Sequence, residues 1–199
     1  MLVVGLGNPG QRYADTRHNV GFRLIDLIAE RWGRPVFREK FKGQYASVEL
    51  AQPGGAARLT LLKPLTFMNL SGESVQPAMT FFKETPPSVL VVHDELDLPL
   101  GRLMLKQGGG SGGHNGLKSV SERLGTPNYT RLRLGIGRPP ADFRGDVADF
   151  VLEGFPPHEQ STVDDLLARA ADAVELLAQR GLEAAMNQVN RTKPSATAS

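Results

Sequence analysis

Val89-Leu90-Val91-Val92-His93-Asp94-Glu95-Leu96-Asp97 sets the fold class. Its first half is a continuous β-branched and apolar run. Inner strands of a parallel sheet read this way, because both of their faces are covered. Its second half places a histidine and acidic residues at the strand's carboxyl end, where open α/β sheets put their sites. A second buried strand runs from Leu2 to Leu6 and enters Gly5-Leu6-Gly7-Asn8-Pro9-Gly10. Formally this is the dinucleotide fingerprint Gly-x-Gly-x-x-Gly. That motif needs a helix to open within the loop, whereas Asn8-Pro9-Gly10 is a turn sequence. Helical periodicity begins only near Asn19–Val20, and Asp26 falls inside that helix rather than at the end of a second strand. The glycines therefore read as a sharp bend at a strand end.

Outward from these strands, helix and strand patterns alternate. Leu24, Ile25, Leu27, Ile28 and Trp32 share one helical face, and Gly33 and Pro35 stop that helix. Residues 44–50 and 58–63 read as two strands joined by the turn Pro53-Gly54-Gly55. Ser71 is placed to cap a helix carrying Val75, Met79 and Phe82. Thr130 to Ile136 alternates, with Leu132, Leu134 and Ile136 on one face and Arg131 and Arg133 on the other. Val147 to Leu152 reads as a last short strand, 158–181 as an amphipathic helix, and Ala184 to Asn190 as its short continuation. Residues 1–190 thus form a single α/β domain, and 191–199 are expected to be a disordered tail.

Composition narrows the function classes. A chain of 199 residues, 40% hydrophobic and 22% charged, suits one soluble core. No apolar run approaches membrane-spanning length. The absence of cysteine removes disulfides, thiol nucleophiles and cysteine metal sites. The N-terminus enters a strand pattern with no basic leader, and a cytoplasmic protein is expected. The net charge of +2 hides an asymmetry. Residues 1–145 carry 19 Lys and Arg against 12 Asp and Glu, a balance of +7, whereas 146–190 carry 2 against 9, a balance of −7. The larger part suits a polyanion, although an unevenly charged solvated surface reads the same way.

The densest glycine run is Gln107-Gly-Gly-Gly-Ser-Gly-Gly-His-Asn-Gly116. Strand-like Leu103 and Leu105 precede it, and Leu117, Val120 and Leu124 follow at helical spacing, so it joins a strand to a helix. Glycine loses more backbone freedom on folding than any other residue. A run this dense reads as a backbone surface that lets a ligand approach N–H groups, next to a helix N-terminus that favours anions. His114 and Asn115 sit at its rim. Elsewhere, His18 precedes the first helix, as a cap, a loop residue or a catalyst. Phe67 and Met68 beside Asn69 read as a hydrophobic staple or as a small apolar pocket with one amide. His93, Asp94 and Glu95 suggest either a metal site or an aspartate that orients a histidine. Arg131 and Arg133, with Lys106 before the glycines, read as a solvated edge or as phosphate contacts.

Five motifs together resemble one family. Asn8-Pro9-Gly10, Thr16-Arg17-His18-Asn19, Thr66-Phe67-Met68-Asn69-Leu70-Ser71-Gly72, His93-Asp94-Glu95-Leu96-Asp97 and Gly112-Gly113-His114-Asn115-Gly116 are similar, in order and spacing, to bacterial peptidyl-tRNA hydrolases. The resemblance implies a single α/β domain around a mixed, mostly parallel sheet with helices on both faces. It implies hydrolysis of the ester joining a peptide to the 3′ ribose of tRNA, which recycles peptidyl-tRNA dropped from stalled ribosomes, with no metal or cofactor. It makes His18 the base and Asp94 its partner. Asn8, Asn69 and Asn115 would bind the peptide backbone, the ribose or the attacking water. Met68 and His114 would line the cleft, and Tyr13 would sit beside the ester. Lys106 and Arg133 would clamp a tRNA phosphate. The partner would be peptidyl-tRNA, through its acceptor stem and 3′ end, with no membrane and no obligate protein partner, and the enzyme would act as a monomer. One departure is Ser111, where the family pattern often has His.

The chemistry agrees with these residue types. An ester is activated, so neither a metal nor a covalent intermediate is required. An imidazole can take a proton from water at pH 7. A carboxylate on the other ring nitrogen fixes the tautomer, and amides can stabilise the oxyanion. The competing covalent route would use Ser71 or Ser111. Rival functions are a non-catalytic RNA-binding or splicing relative on the same scaffold, a dinucleotide-dependent enzyme, and a generic esterase.

Overall fold

In the computed structural model, residues 1–52 and 55–191 are described. Pro53 and Gly54 of the expected turn, and the expected tail from Thr192 onward, lie outside the described residues. Among the described residues, seven strands form one mixed sheet: β1 (Leu2–Gly5), β2 (Arg38–Lys40), β3 (Gly43–Gln52), β4 (Gly55–Pro64), β5 (Val89–Glu95), β6 (Leu103–Gln107) and β7 (Thr130–Gly135), in the spatial order β2-β3-β4-β1-β5-β7-β6. The four middle strands, β4, β1, β5 and β7, are mutually parallel, and antiparallel strands flank them. Helices cover both faces: α1 (Val20–Arg31), α2 (Gly72–Phe81), α3 (Asn115–Leu124), α4 (Val147–Leu152) and α5 (Gln160–Val189).

Strand alternation divides the core into two layers. Val3, Leu61, Leu90, Val92, Leu132 and Leu134 pack towards α1 and α5. Leu2, Val4, Leu62, Val89 and Val91 pack towards α2 and α3 with Val75, Leu117 and Val120. Close approach between β1 and α1 depends on glycine, because a Cβ on Gly21 would stand 2.5 Å from the Leu6 carbonyl oxygen and 2.8 Å from that of Val92. This contact seats the start of α1, and with it His18, at the carboxyl ends of β1 and β5.

Two sequence expectations are overturned. Val147–Leu152 is a helix, not a strand. Its valines favour a strand, but Asp146 and Asp149 form a reciprocal cap: the Asp146 carboxylate accepts from the Asp149 amide at 2.9 Å, and the Asp149 carboxylate from the Asp146 amide at 3.1 Å. Ser71 does not cap α2. It has helical backbone angles, and its hydroxyl donates to the Met68 carbonyl, while Ser119 of α3 accepts the first amide of α2, that of Gly72, at 3.0 Å. The C-terminal helix runs on as expected, although Gly181, at φ 78°, breaks it into two segments.

The second segment of α5 protects the open edge of the sheet. Asn190 accepts from the Leu105 amide at 2.8 Å and donates to the Leu105 carbonyl at 3.0 Å, as a neighbouring strand would. Asn190→Ala is expected to lower unfolding free energy by about 1–2 kcal/mol, the cost of two unmade bonds at a half-buried edge. Urea unfolding measures it, and a variant as stable as wild type would show that water replaces the side chain at no cost.

Candidate active site

Asp94, the last buried residue of β5, is the centre of the site. Its Oδ1 lies 2.9 Å from His18 Nδ1 and 3.0 Å from His114 Nε2, and the residue is 3% exposed. Burial would push its carboxyl pKa up, but the neighbouring imidazoles of His18 and His114 outweigh burial and hold it well below the usual carboxylate range. An ionised carboxylate only accepts, so both facing nitrogens carry protons. In neutral His18, Nε2 therefore keeps the lone pair. In His114, Nδ1 accepts from the amides of Gly116 at 3.1 Å and Leu117 at 3.3 Å, which caps α3.

This cap decides two questions left open by the sequence. First, it occupies the amides at the N-terminus of α3, so an anion held by the glycine run must be held before the helix. Second, it bears on metal binding. His18, Asp94 and His114 offer ligand atoms within 4.8 Å of one another, a spacing that could suit a metal ion. While the cap stands, however, His114 Nε2 carries its proton and has no lone pair for a metal. The donor set is that of two N–H groups on one carboxylate oxygen.

Around this trio is a cavity of about 840 Å³, and its walls include Asn8, His18, Met68, Asn69, Asp94, His114 and Asn115. The structure thus brings together most of the residues singled out from the sequence. Asn8 is held on three sides. Its amide donates to Asn19 Oδ1 at 2.8 Å, its carbonyl accepts from Asn19 Nδ2 at 2.9 Å, and its Oδ1 accepts from the Met68 amide at 2.8 Å. Only its Nδ2 is left for the cavity. Asn69 and Asn115 are exposed and present whole amides. Ser71 is fully buried and turned away, and the Ser111 hydroxyl bonds no histidine among the described residues. Neither has the base partner that a serine nucleophile needs.

Three of the sequence candidates lie off the cavity: Tyr13, in a 3-10 turn before His18, and Lys106 and Arg133 on β6 and β7. Arg133 donates from Nε to Glu95 at 2.9 Å. Arg131 is neither a solvated edge nor a surface contact. β7 lies inside the sheet, and Arg131 is 3% exposed beneath the glycine run. Sequence reasoning missed Asn19 as the holder of Asn8. It also missed the apolar wall from α4, where Val147 and Leu152 stay 47% and 41% exposed inside the cavity rim. The capping pair Asp146 and Asp149 was the signal for that wall.

Comparisons with known proteins point to one family. The family model described as Peptidyl-tRNA hydrolase matches residues 2–197. The chain is 55% identical over 194 residues to the peptidyl-tRNA hydrolase of Sorangium cellulosum, covering 98% of this chain and 85% of that protein. It is 50% identical over 192 residues to that of Mycobacterium tuberculosis, covering 96% and 97%. The crystal structure of peptidyl-tRNA hydrolase from Acinetobacter baumannii superposes with a TM-score of 0.86 at 42% identity, covering 98% of this chain and 96% of that one.

Behind the trio, His93 donates from Nδ1 to the Asp94 carbonyl at 2.7 Å, and its Nε2 is buried without a partner among the described residues. Burial, and then the nearby His114, lower its pKa to about 3. The folded protein keeps His93 neutral while the unfolded chain protonates it below about pH 6.5, so acidification favours unfolding. From this residue stability should fall by roughly 1 kcal/mol per pH unit between about pH 6.5 and the folded pKa. His93→Gln, which keeps a donor, should flatten that slope in urea unfolding at pH 6.5, 5.5 and 4.5. Equal slopes for both proteins would remove His93 as the cause.

Proposed function

The chain belongs to the peptidyl-tRNA hydrolase family, hydrolases of an ester bond, and on that premise we propose how its residues do the work. His18 is the general base. Its Nε2 takes a proton from a water in the cavity, and the water oxygen attacks the ester carbonyl carbon. Asp94 holds the Nδ1–H tautomer and stabilises the imidazolium that forms. The tetrahedral oxyanion is met by amide N–H groups, those of Asn8, Asn69 or Asn115. Collapse breaks the bond to the ribose oxygen, which receives from His18 Nε2 the proton that came from water, and the new carboxylic acid releases its proton to solvent. The products are a peptide carboxylate and a tRNA with a free 3′ end.

The observation that carries this reading is the Asp94 carboxylate shared by two histidines on the floor of a cavity edged by three asparagines. The peptide's first residues would lie between the amides and the apolar wall of α4, with Met68 on the substrate side, and Tyr13 would meet the substrate from outside the cavity wall. The acceptor stem would follow the face that carries Lys106 and Arg133. The proposed enzyme is a small one-domain hydrolase that acts as a monomer in the cytoplasm. Among the described residues, no helix is long and apolar enough to cross a membrane.

N-acetyl-aminoacyl-tRNA and free aminoacyl-tRNA distinguish the outcomes. Wild type is expected to cleave the blocked substrate alone. His18→Ala should lose about 10²–10⁴-fold in kcat, the range for removing a general base, and Asp94→Asn a comparable factor with its fold intact. A folded wild type that cleaves neither substrate would make the protein a non-catalytic RNA binder, and accumulation of an acyl-enzyme would overturn direct attack by water.

A further inference from the structure

The glycine run takes an unexpected path. β6 is antiparallel to β7, and its last residue, Gln107, lies opposite Thr130 at the start of β7. His114, however, touches Asp94, which pairs with Leu134 near the far end. Residues 108–113 must therefore climb back along the sheet by about four residues, roughly 13 Å. Gly108, Gly109, Gly112 and Gly113 all have positive φ on this climb.

Arg131 lies beneath it. Its Nη1 donates to the Gly110 carbonyl at 2.6 Å, its Nη2 donates to the Gly109 carbonyl, and the guanidinium stacks 4.7 Å from the Tyr129 ring centre. Its Nε is buried and has no hydrogen-bond partner among the described residues. Among the described residues no carboxylate pairs with Arg131, whereas buried Arg17 faces Glu159 and Arg133 faces Glu95. The charge beneath the loop is therefore not neutralised. Its donors also set the loop's orientation. No peptide bond among the described residues is cis, and in a trans peptide the N–H points opposite to the carbonyl. With the carbonyls of Gly109 and Gly110 drawn in to Arg131, the amides of Gly110 and Ser111 turn outward. Neither makes a hydrogen bond among the described residues. Ser111 lines the cavity, and at the loop's other end Lys106, paired in register with Arg131, lies against Gly109.

We propose that the outward amides of Gly110 and Ser111, held over Arg131, bind a phosphodiester of the substrate's 3′-terminal strand, with Arg131 as the positioning residue. This rests on the functional reading above. Paired outward amides over a buried cation form an anion-binding concavity, and this one lies between the cavity and Lys106. The ligand group is the internucleotide phosphate next to the esterified ribose.

Two substrates test it: N-acetyl-aminoacyl-tRNA and the phosphate-free N-acetyl-aminoacyl ester of adenosine. In Arg131→Lys, which keeps the charge but cannot span two carbonyls, the ratio of kcat/KM on the tRNA ester to that on the adenosine ester should fall about tenfold, the loss for one charge-assisted hydrogen bond. The change should lie in KM. The second measurement needs no variant. In wild type, the amide NMR signals of Gly110 and Ser111 should shift on adding the dinucleotide CpA and not on adding adenosine. An unchanged ratio in a folded variant, or unmoved amides in wild type, overturns the proposal. Wild type that cleaves neither ester would fail the functional reading instead, and the NMR titration would still decide the phosphate site.

Discussion

One carboxylate oxygen constrains the rest of the site. Asp94 is buried and ionised, and such a charge costs several kcal/mol unless donors surround it. Two imidazole N–H groups converge on Oδ1, and each fixes something further away. The bond from His18 sets which nitrogen faces the cavity. The bond from His114 places that ring's proton on Nε2, leaving Nδ1 to cap α3. The start of α3, the end of the glycine run and the position of Asn115 are thereby tied to the same oxygen. His93 adds a bond to the Asp94 carbonyl from behind. No member of this group can be moved without unsatisfying another.

The parallel centre of the sheet was legible in the sequence because continuous apolar runs such as Val89–Val92 have one common explanation. The roles of the catalytic candidates came instead from the likeness of five motifs to one family, because the residues alone left His18 a cap, a loop residue or a catalyst and left His93, Asp94 and Glu95 a metal site or an orienting aspartate. Much of what was not legible depended on partners distant in sequence. Alternation in Thr130–Gly135 identifies two faces, but not that β6 pairs beyond β7 and buries Arg131. Ser71 had the right residue type for a cap, but Ser119 reached the amide first. Val147–Leu152 had strand-like composition, and a local aspartate pair outweighed it. Side-chain capping over three residues is worth about as much as the propensity difference of a short segment.

The two walls of the cavity are joined at His18. On the polar side, Asn19 grips the backbone of Asn8. On the apolar side, Arg17 anchors α4. Its amide donates to the Glu153 carbonyl at 2.9 Å, its Nη1 to the Phe150 carbonyl at 3.3 Å, and its guanidinium lies 4.1 Å from the Phe150 ring centre. Thr16 adds a bridge to Gly154. Three consecutive residues therefore position the apolar wall, the histidine and the amide wall. In the proposed reaction, an ester whose acyl chain lay on α4 and whose carbonyl met the asparagines would be presented to the histidine by the same turn. Displacement of that turn by 1 Å would misalign all three at once, and positioning errors of that size can cost two orders of magnitude in rate. That is a physical reason for a guanidinium, at the cost of burying its charge, to lie between two aromatic rings, where a neutral side chain could fill the volume but could not reach both the carbonyl and Glu159.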